Sequence, residues 1–288
     1  MKEWTVLSGK GGCGKTTLTA SFARLMKGGV LADCDVDAAD MSLLMKGEDR
    51  KQEDFYSGFT AVIDSALCSS CGRCDELCRF QAVLPPEDGK GFRIDPLRCE
   101  GCGVCRDNCP AEAVTLKDRL TGQWFIRETT DGPLVHARLG AGGENSGRLV
   151  THVRDRAREL AKERGEEKIL TDGPPGIGCP VIASLNGVDQ VLVVTEPTPS
   201  GIHDLERVIR LLKHFGIPAS VCVNKADLSG KGRDEIRELA DRKGLRYLGE
   251  IPWDKRVTDA LRAGITPLEA GIGPVSEAIQ KIWEKWNE

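Results

Sequence analysis

Two short runs of cysteine with identical spacing constrain the fold of this 288-residue chain more than any other feature. Each run, here called a comb, reads C-x2-C-x2-C-x3-C. The first comb is Cys68, Cys71, Cys74 and Cys78, and the second is Cys99, Cys102, Cys105 and Cys109. Cysteines so close together on a tight turn cannot all pair with one another. The spacing therefore favours a metal centre over disulfides.

The spacing is the one by which bacterial ferredoxins hold two four-iron, four-sulfur (4Fe–4S) clusters, with the fourth cysteine of each comb bound to the other comb's cluster. Zinc sites usually join two C-x2-C pairs across a longer gap, so zinc is the weaker alternative. We therefore predict two 4Fe–4S clusters with crossed ligands. One would be held by Cys68, Cys71, Cys74 and Cys109, and the other by Cys99, Cys102, Cys105 and Cys78.

A phosphate-binding loop is predicted between Gly9 and Thr17, which read GKGGCGKTT and match G-x4-G-K-S/T. The match lies between a predicted strand and a predicted helix, the context that the motif requires. Lys15 is predicted to neutralise the β- and γ-phosphates, and the Thr16 hydroxyl to bind Mg²⁺. The residues expected to contact the nucleotide here are Gly9, Lys10, Gly11, Gly12, Cys13, Gly14, Lys15, Thr16 and Thr17.

Short apolar runs alternate with helical patterns, which is typical of βαβ units and a parallel sheet. The runs predict strands at 4–8, 30–34, 168–171, 190–195, 219–223 and 246–249. A hairpin is predicted from 124–129 and 134–139, followed by a glycine-rich loop at 140–147. The combs interrupt this alternation. We therefore expect an α/β P-loop domain, residues 1–58 and 119–288, with helices on both faces of a mainly parallel sheet, and a small α+β ferredoxin-like insert at 59–118.

The loop also carries a second lysine, Lys10, in the pattern K-G-G-x-G-K-T-T. This pattern resembles the deviant Walker A motif of the MinD/Mrp/ParA and nitrogenase iron-protein class of ATPases. The resemblance implies a homodimer that closes through its nucleotide face. Lys10 would then reach the partner's phosphates and act, with Lys15, as a catalytic residue.

Three aspartates extend the resemblance. Asp33 and Asp35 form a D-x-D after the second strand, as in the family's switch I, and Asp172 ends the strand that resembles Walker B. The resemblance implies that Asp35 orients the attacking water. It also implies that Asp33 and Asp172 lie at Mg²⁺ or at its water ligands.

Asn224 begins N-K-A-D, which leaves the choice of base open, because N-K-x-D also reads guanine in many GTPases. In the MinD/Mrp family the asparagine contacts adenine, helped by a later I-P-x-D loop. Here that loop is 251–254, so Pro252 and Asp254 join the predicted nucleotide site. Together with Lys10, this loop favours ATP over GTP.

The ATPase motifs and the insert together resemble Mrp/MinD-type ATPases that carry an inserted ferredoxin domain. The first comb departs from the usual pattern, with Arg79 in place of proline after its last cysteine, and the chain lacks the C-terminal C-x2-C of iron–sulfur carrier relatives. We expect an ATP-hydrolysing, ATP-switched electron carrier that serves an unidentified redox or assembly partner. A MinD-like spatial or assembly regulator with structural or redox-sensing clusters, and a cluster-delivery protein, are the alternatives.

Composition limits where such a protein works. Twelve cysteines in a chain without an evident export signal predict the reducing cytoplasm. A net charge of −4 does not indicate a surface that binds nucleic acid. No apolar run approaches the ~18 residues of a membrane helix. The last helix has an apolar face, which we expect to pack on the sheet rather than on lipid. Cys179 lies seven residues after Asp172, the offset of a cluster-ligating cysteine in the nitrogenase iron protein, but we expect it to be structural.

Overall fold

The computed structural model describes residues 1–86, 89–140 and 146–288. Its strands are β1 (Lys2–Ser8), β2 (Val30–Asp33), β3 (Gly47–Ile63), β4 (Val83–Leu84), β5 (Arg93–Ile94), β6 (Val114–Thr129), β7 (Gly132–Leu139), β8 (Lys168–Pro175), β9 (Gln190–Thr195), β10 (Ala219–Asn224) and β11 (Arg246–Ile251). Its α-helices are α1 (Lys15–Met26), α2 (Met41–Leu44), α3 (Arg73–Leu77), α4 (Val104–Asp107), α5 (Ser146–Arg164), α6 (Cys179–Leu185), α7 (Pro199–His214), α8 (Gly230–Lys243), α9 (Lys255–Arg262) and α10 (Gly273–Asn287). A 3₁₀ helix spans Ala226–Leu228.

Nine strands form one sheet in the order β11-β10-β9-β1-β8-β2-β7-β6-β3. The six strands predicted from the apolar runs are all present and form a continuous parallel block from β11 to β2. β7 extends this block in parallel with β2. β6 and β7 are joined by two residues, a connection that only antiparallel neighbours can have. The prediction of a mainly parallel α/β sheet flanked by helices is therefore confirmed.

The chain divides into two compact units. Unit 1 comprises Met1–Glu53, Gln123–Leu139 and Ser146–Glu288, and unit 2 is built on Asp54–Gly122. The predicted insert is shorter, 59–118, because β3 and β6 run on through both of its limits.

In unit 1, helices cover both faces of the sheet over two apolar clusters. On one face, aromatic rings of α1 and α10 meet the first strand: Trp283 lies 5.6 Å from Trp4 and 5.1 Å from Phe22 between ring centroids. Trp283 and Trp286 are 7% and 1% exposed. The apolar face of the last helix is thus buried against the sheet, as expected. No helix in the described part of the chain is long and apolar enough to cross a membrane.

Two details near the sheet differ from the sequence prediction. Cys179 begins α6, a short helix that the sequence did not indicate. α5 begins at Ser146, so the predicted loop at 140–147 ends earlier than expected. Most of that loop, residues 141–145, lies outside the described residues.

Unit 2 repeats one backbone pattern around each comb. The Cys68 and Cys99 N–H groups donate to the carbonyls of Asp64 and Asp95, each at 3.0 Å. The two halves also exchange a bond: the Asp64 N–H donates to the Ala113 carbonyl at 2.8 Å, and the Asp95 N–H to the Ala82 carbonyl at 2.7 Å. The third cysteine of each comb lies in a short helix, Cys74 in α3 and Cys105 in α4, and the fourth follows that helix. The two combs of identical spacing therefore fold as two equivalent halves, which are joined by these backbone hydrogen bonds.

Candidate functional site

A cavity of about 610 Å³ opens at the carboxyl end of β1 in unit 1, and we call it the nucleotide cavity. In doubly wound sheets this edge of the strands is where ligands bind, and the volume suits a small-molecule ligand. Predicted residues that line it are Gly11, Gly12, Gly14, Lys15, Thr16, Thr17, Asp35, Asn224, Pro252 and Asp254. Gly9, Lys10, Cys13, Asp33 and Asp172 lie beside it rather than in its wall.

Lys15 is at the centre of a buried polar cluster. Its Nζ lies 2.9 Å from Asp172 Oδ2 and 3.4 Å from Asp35 Oδ2. The hydroxyls of Thr16 and Thr19 donate to the two oxygens of Asp172, at 2.6 and 2.8 Å. Three of the predicted site residues, Lys15, Thr16 and Asp172, are therefore directly bonded to one another.

The charges of this cluster depend on one another. Burial alone would lower the pKa of Lys15, but the carboxylates of Asp172, Asp35 and Asp33 together raise it. Burial raises the pKa of Asp35, and Lys15 opposes that rise. The lysine therefore stays charged and stabilises the carboxylates around it.

Asp33 has a different geometry from the other two aspartates. It is fully buried, and its two oxygens accept the N–H groups of Asp35, at 3.1 Å, and Met41, at 3.2 Å. Burial, followed by the neighbouring Asp172, raises its pKa well above the usual range. In this structure Asp33 therefore fixes the backbone of the segment that carries Asp35.

The phosphate-binding loop is held from the neighbouring strand β10. Asn224 Nδ2 donates to the Cys13 carbonyl at 2.8 Å. Gly14 has φ +86°, and a Cβ there would lie 2.3 Å from Asn224 Nδ2. Only glycine therefore allows this approach. The predicted base-contacting asparagine thus positions the loop.

The loop after β11 is fixed from the N-K-A-D segment. Asp227 Oδ1 accepts the Trp253 N–H at 2.7 Å. Asp254 caps α9 by accepting the Arg256 N–H at 2.8 Å, and its carboxylate also pairs with the Arg256 guanidinium. Asp227 and Asp254 thus both hold the shape of the 251–254 loop.

In unit 2 the combs line two cavities. The first, which we call the Cys109 cavity, is lined by the first three cysteines of comb one and the last of comb two: Cys68, Cys71, Cys74 and Cys109. The second, the Cys78 cavity, has the reciprocal set: Cys78, Cys99, Cys102 and Cys105. These are the two crossed sets expected from the spacing.

The thiols around both cavities are free. Backbone N–H groups of Ala61, Ala82 and Ala113 point at the sulfurs of Cys99, Cys78 and Cys109, each at 3.4 Å. Burial raises the pKa of Cys74 to about 11, and nearby Cys68 and Cys105 add to the rise. Among the described residues, no three Cys, His, Asp or Glu side chains converge as the ligands of one metal ion.

Comparison with known proteins identifies the family. The profile of the CobQ/CobB/MinD/ParA nucleotide-binding domain matches residues 4–268. The chain belongs to this family. It is 33% identical over 288 residues to an uncharacterized protein of Methanocaldococcus jannaschii, covering 98% of this chain and 95% of the relative. It is 24% identical over 306 residues to the iron-sulfur cluster carrier protein of Pyrococcus abyssi, covering 99% and 86%.

The family fold is also seen in solved structures. The septum site-determining protein MinD from Pyrococcus horikoshii, complexed with Mg-ADP, superposes with a TM-score of 0.61 at 17% identity, covering 100% of this chain and 96% of that chain. At this identity the likeness establishes the α/β P-loop fold of the MinD/ParA family and nothing finer.

Within this MinD/ParA-type site, sequence reasoning missed Glu196, which is 7% exposed. Its carboxylate lies between two lysines, 3.4 Å from Lys10 Nζ and 2.5 Å from Lys225 Nζ. Glu196 lies in the segment T-E-P-T at 195–198. The local signal was only an acidic residue directly after the predicted strand at 190–195, and its contacts with the two lysines depend on the fold.

Proposed function

We propose that this protein is a dimeric, ATP-hydrolysing iron–sulfur protein that carries electrons to a partner protein under the control of ATP. The observation that carries the proposal is the pair of crossed cysteine sets around separate cavities, in a chain whose P-loop lysine is joined to its Walker B aspartate. The family membership supports the ATPase part, and the cysteine sets support the electron-carrying part.

The two cavities of unit 2 fit 4Fe–4S clusters in number, kind and arrangement of donors. A cluster of this type takes one thiolate on each of four irons, so its thiolates stand further apart than those of a single ion. Each cavity is lined by four cysteines, one for each iron of such a cluster. When bound, these clusters supply reversible one-electron transfer. The alanine N–H groups at 3.4 Å would then donate to ligand sulfurs and tune the potential.

In the nucleotide site, Lys15 and Thr16 both donate hydrogen bonds to the carboxylate of Asp172. We propose that Lys15 turns to the β- and γ-phosphates when ATP binds, while Thr16 and Asp172 hold Mg²⁺ directly or through water. Asp35 would orient the attacking water. Asp33, bonded to the backbone at both oxygens, would act by fixing Asp35 rather than by reaching the metal.

ATP is the proposed nucleotide. In N-K-x-D GTPases the aspartate pairs with guanine, whereas here Asp227 accepts the Trp253 N–H at 2.7 Å. That bond ties Asp227 to the loop that lines the base side of the cavity. The same loop, with Pro252, would pack against adenine.

Cluster delivery is a second candidate, favoured by one observation. The Pyrococcus abyssi relative, which this chain matches over 99% of its length, is named an iron-sulfur cluster carrier protein. Against delivery, the eight comb cysteines line two cavities in sets of four, which is the number of thiolates that one resident 4Fe–4S cluster takes.

The test begins with anaerobic purification and EPR of the reduced protein, with and without Mg-ATP. We expect brown protein with about eight irons per chain, reversible reduction, and signals that change when ATP binds. Colourless protein that contains zinc would overturn the cluster assignment. Signals indifferent to ATP would overturn the switched carrier. Loss of iron and sulfide to an apo-ferredoxin, faster with ATP, would establish delivery instead.

A further inference from the structure

Lys10, the second lysine of the phosphate-binding loop, is held inside its own subunit. Its Nζ lies 3.4 Å from Glu196 Oε2, and within 3.4 and 3.1 Å of the hydroxyls of Thr198 and Ser200. The Lys10 side chain is 31% exposed, whereas that of Glu196 is only 10% exposed. The acid is thus the fixed partner and the lysine the accessible one.

Glu196 has a second cation on its other oxygen. Lys225 Nζ lies 2.5 Å from Glu196 Oε1 and also donates to the Gly12 carbonyl at 3.3 Å. Lys225 has φ +54°, an uncommon conformation for a lysine, which directs the segment after β10 toward the loop. A nearly buried carboxylate is stable only if it keeps a partner. With Lys225 in place, Glu196 stays paired even if Lys10 departs.

We propose that Glu196 is a positioning residue: it holds Lys10 in its own subunit until ATP closes the dimer, and Lys225 keeps Glu196 paired when Lys10 leaves. This inference rests on the proposed dimeric function, in which Lys10 reaches the partner's nucleotide. A one-cation site would hold Lys10 more tightly, because its departure would leave a buried charge uncompensated. The shared carboxylate therefore sets how readily Lys10 is released.

The contact by which Glu196 holds Lys10, here called the hold, is tested first in the nucleotide-free protein, so that the test does not depend on a dimer. Lys10 is acetylated with a small amine-reactive ester, and mass spectrometry measures the rate of its acetylation relative to that of the exposed Lys231 of α8. Glu196→Gln should raise the Lys10 rate about three- to fivefold, the size expected for one partly exposed ion pair. Lys225→Gln should leave it equal or slower. Glu238→Gln, an exposed acid of α8, is the matched control. An unchanged rate in Glu196→Gln would overturn the hold.

The release of Lys10 is tested by measuring the protein concentration at which half of the chains are dimeric in the presence of Mg-ATP. Sedimentation gives this half-dimer concentration, and every variant also carries Asp35→Asn so that the ATP is not hydrolysed during the measurement. Glu196→Gln should lower this concentration about fivefold, and Lys225→Gln should raise it about as much, because one ion pair favours or opposes closing. The double variant should match Glu196→Gln.

The outcomes of the two tests are distinct. Equal half-dimer concentrations in all variants would overturn the positioning role and leave the dimeric ATPase standing. Absence of any ATP-dependent dimer, with ATP still bound, would overturn the dimeric function and the release step together. A weaker dimer in Glu196→Gln would mean that Glu196 supports closing, which is the opposite of the proposal.

Discussion

The nucleotide cavity of unit 1 and the cysteine cavities of unit 2 are built in opposite ways. In unit 1 the reactive side chains already satisfy one another: Lys15 is paired with Asp172, and Thr16 and Thr19 fill the remaining positions on that carboxylate. In unit 2 all eight comb thiols are free, and the polar contacts of the Cys78, Cys99 and Cys109 sulfurs are backbone N–H groups at 3.4 Å rather than charged side chains.

The two units also differ in how much apolar side-chain packing surrounds their sites. Unit 1 has an extensive core on each face of its sheet. In the described part of unit 2, a small apolar cluster has the buried members Ala61, Ala82, Cys99 and Val114, and three of the six side chains that pack on them are cysteines. A unit with so little apolar burial needs further cross-links, which the proposed clusters would supply. We infer that unit 1 is folded before its ligand arrives, whereas unit 2 is folded largely by its ligand.

Removing iron should therefore have the largest effect and should separate the two units. After oxidation and chelation, we expect rapid tryptic cleavage within 54–122, because the proposed thiolate–iron bonds between the two combs would be lost. Cleavage elsewhere should be unchanged, and ATP should still bind. Mass spectrometry of the fragments gives the measurement, and protein resupplied with iron and sulfide is the control. Equal resistance with and without iron would contradict the comparison.

Lys15→Ala tests the other side of the comparison. ATP hydrolysis should fall about 10²- to 10³-fold, the usual effect of removing one group that stabilises transition-state charge. Iron content should stay the same, because the lysine is in unit 1. Phosphate release and iron assay measure the two quantities, with Lys231→Ala as the control. Loss of iron in Lys15→Ala would mean that the nucleotide site also determines the fold of unit 2.

The crossed ligand sets can be tested by pairing substitutions. Cys68→Ser with Cys109→Ser should remove one cluster, leaving about four irons per chain, because both residues line the Cys109 cavity. Cys99→Ser with Cys109→Ser should remove both clusters, because the two cysteines line different cavities. Uncrossed ligation predicts the reverse result for the two pairs. Iron and sulfide analysis of freshly isolated protein decides between them.

The sequence was most informative where chemistry fixes spacing over a few residues. The comb spacing gave the crossed sets that line the two cavities, and the apolar runs gave the parallel block from β11 to β2. No strand was predicted within β3; its first half, Gly47–Glu53, is rich in charged residues and lies at the edge of the sheet. Charged edge strands lose the alternation that marks a strand.

The sequence also did not predict contacts between residues that are far apart in the chain. The contacts of Glu196 with Lys10, and of Asp227 with Trp253, are made by loops at the ends of different strands. Their contact is set by strand order, and no local pattern specifies it. Asn224 illustrates the same point: the motif identified the residue, but its bond to the Cys13 carbonyl required the fold.

A final test concerns a buried group of unit 1 that is independent of either ligand. His136 is fully buried, stacks on Phe125 with ring centroids 4.8 Å apart, and has Nε2 3.4 Å from Asp49 Oδ1. Burial lowers its pKa to about 4, and Arg127 and Arg138 add to that effect while Asp49 opposes it. Between its folded pKa of about 4 and its unfolded value of about 6.5, the unfolded chain binds the extra proton. Stability is therefore lost as pH falls through that window.

We expect the free energy of unfolding to fall by about 2 kcal/mol more in the wild type than in His136→Gln between pH 7 and pH 5. Urea unfolding followed by tryptophan fluorescence measures it, and His203→Gln, at an exposed position of α7, is the matched control. The probes report on unit 1, because Trp4, Trp283 and Trp286 all lie in its core. If wild type and His136→Gln lose the same amount, acid acts on other groups. If the loss disappears only after iron is removed, the folding of unit 1 is coupled to the clusters, and the independence of the two units is wrong.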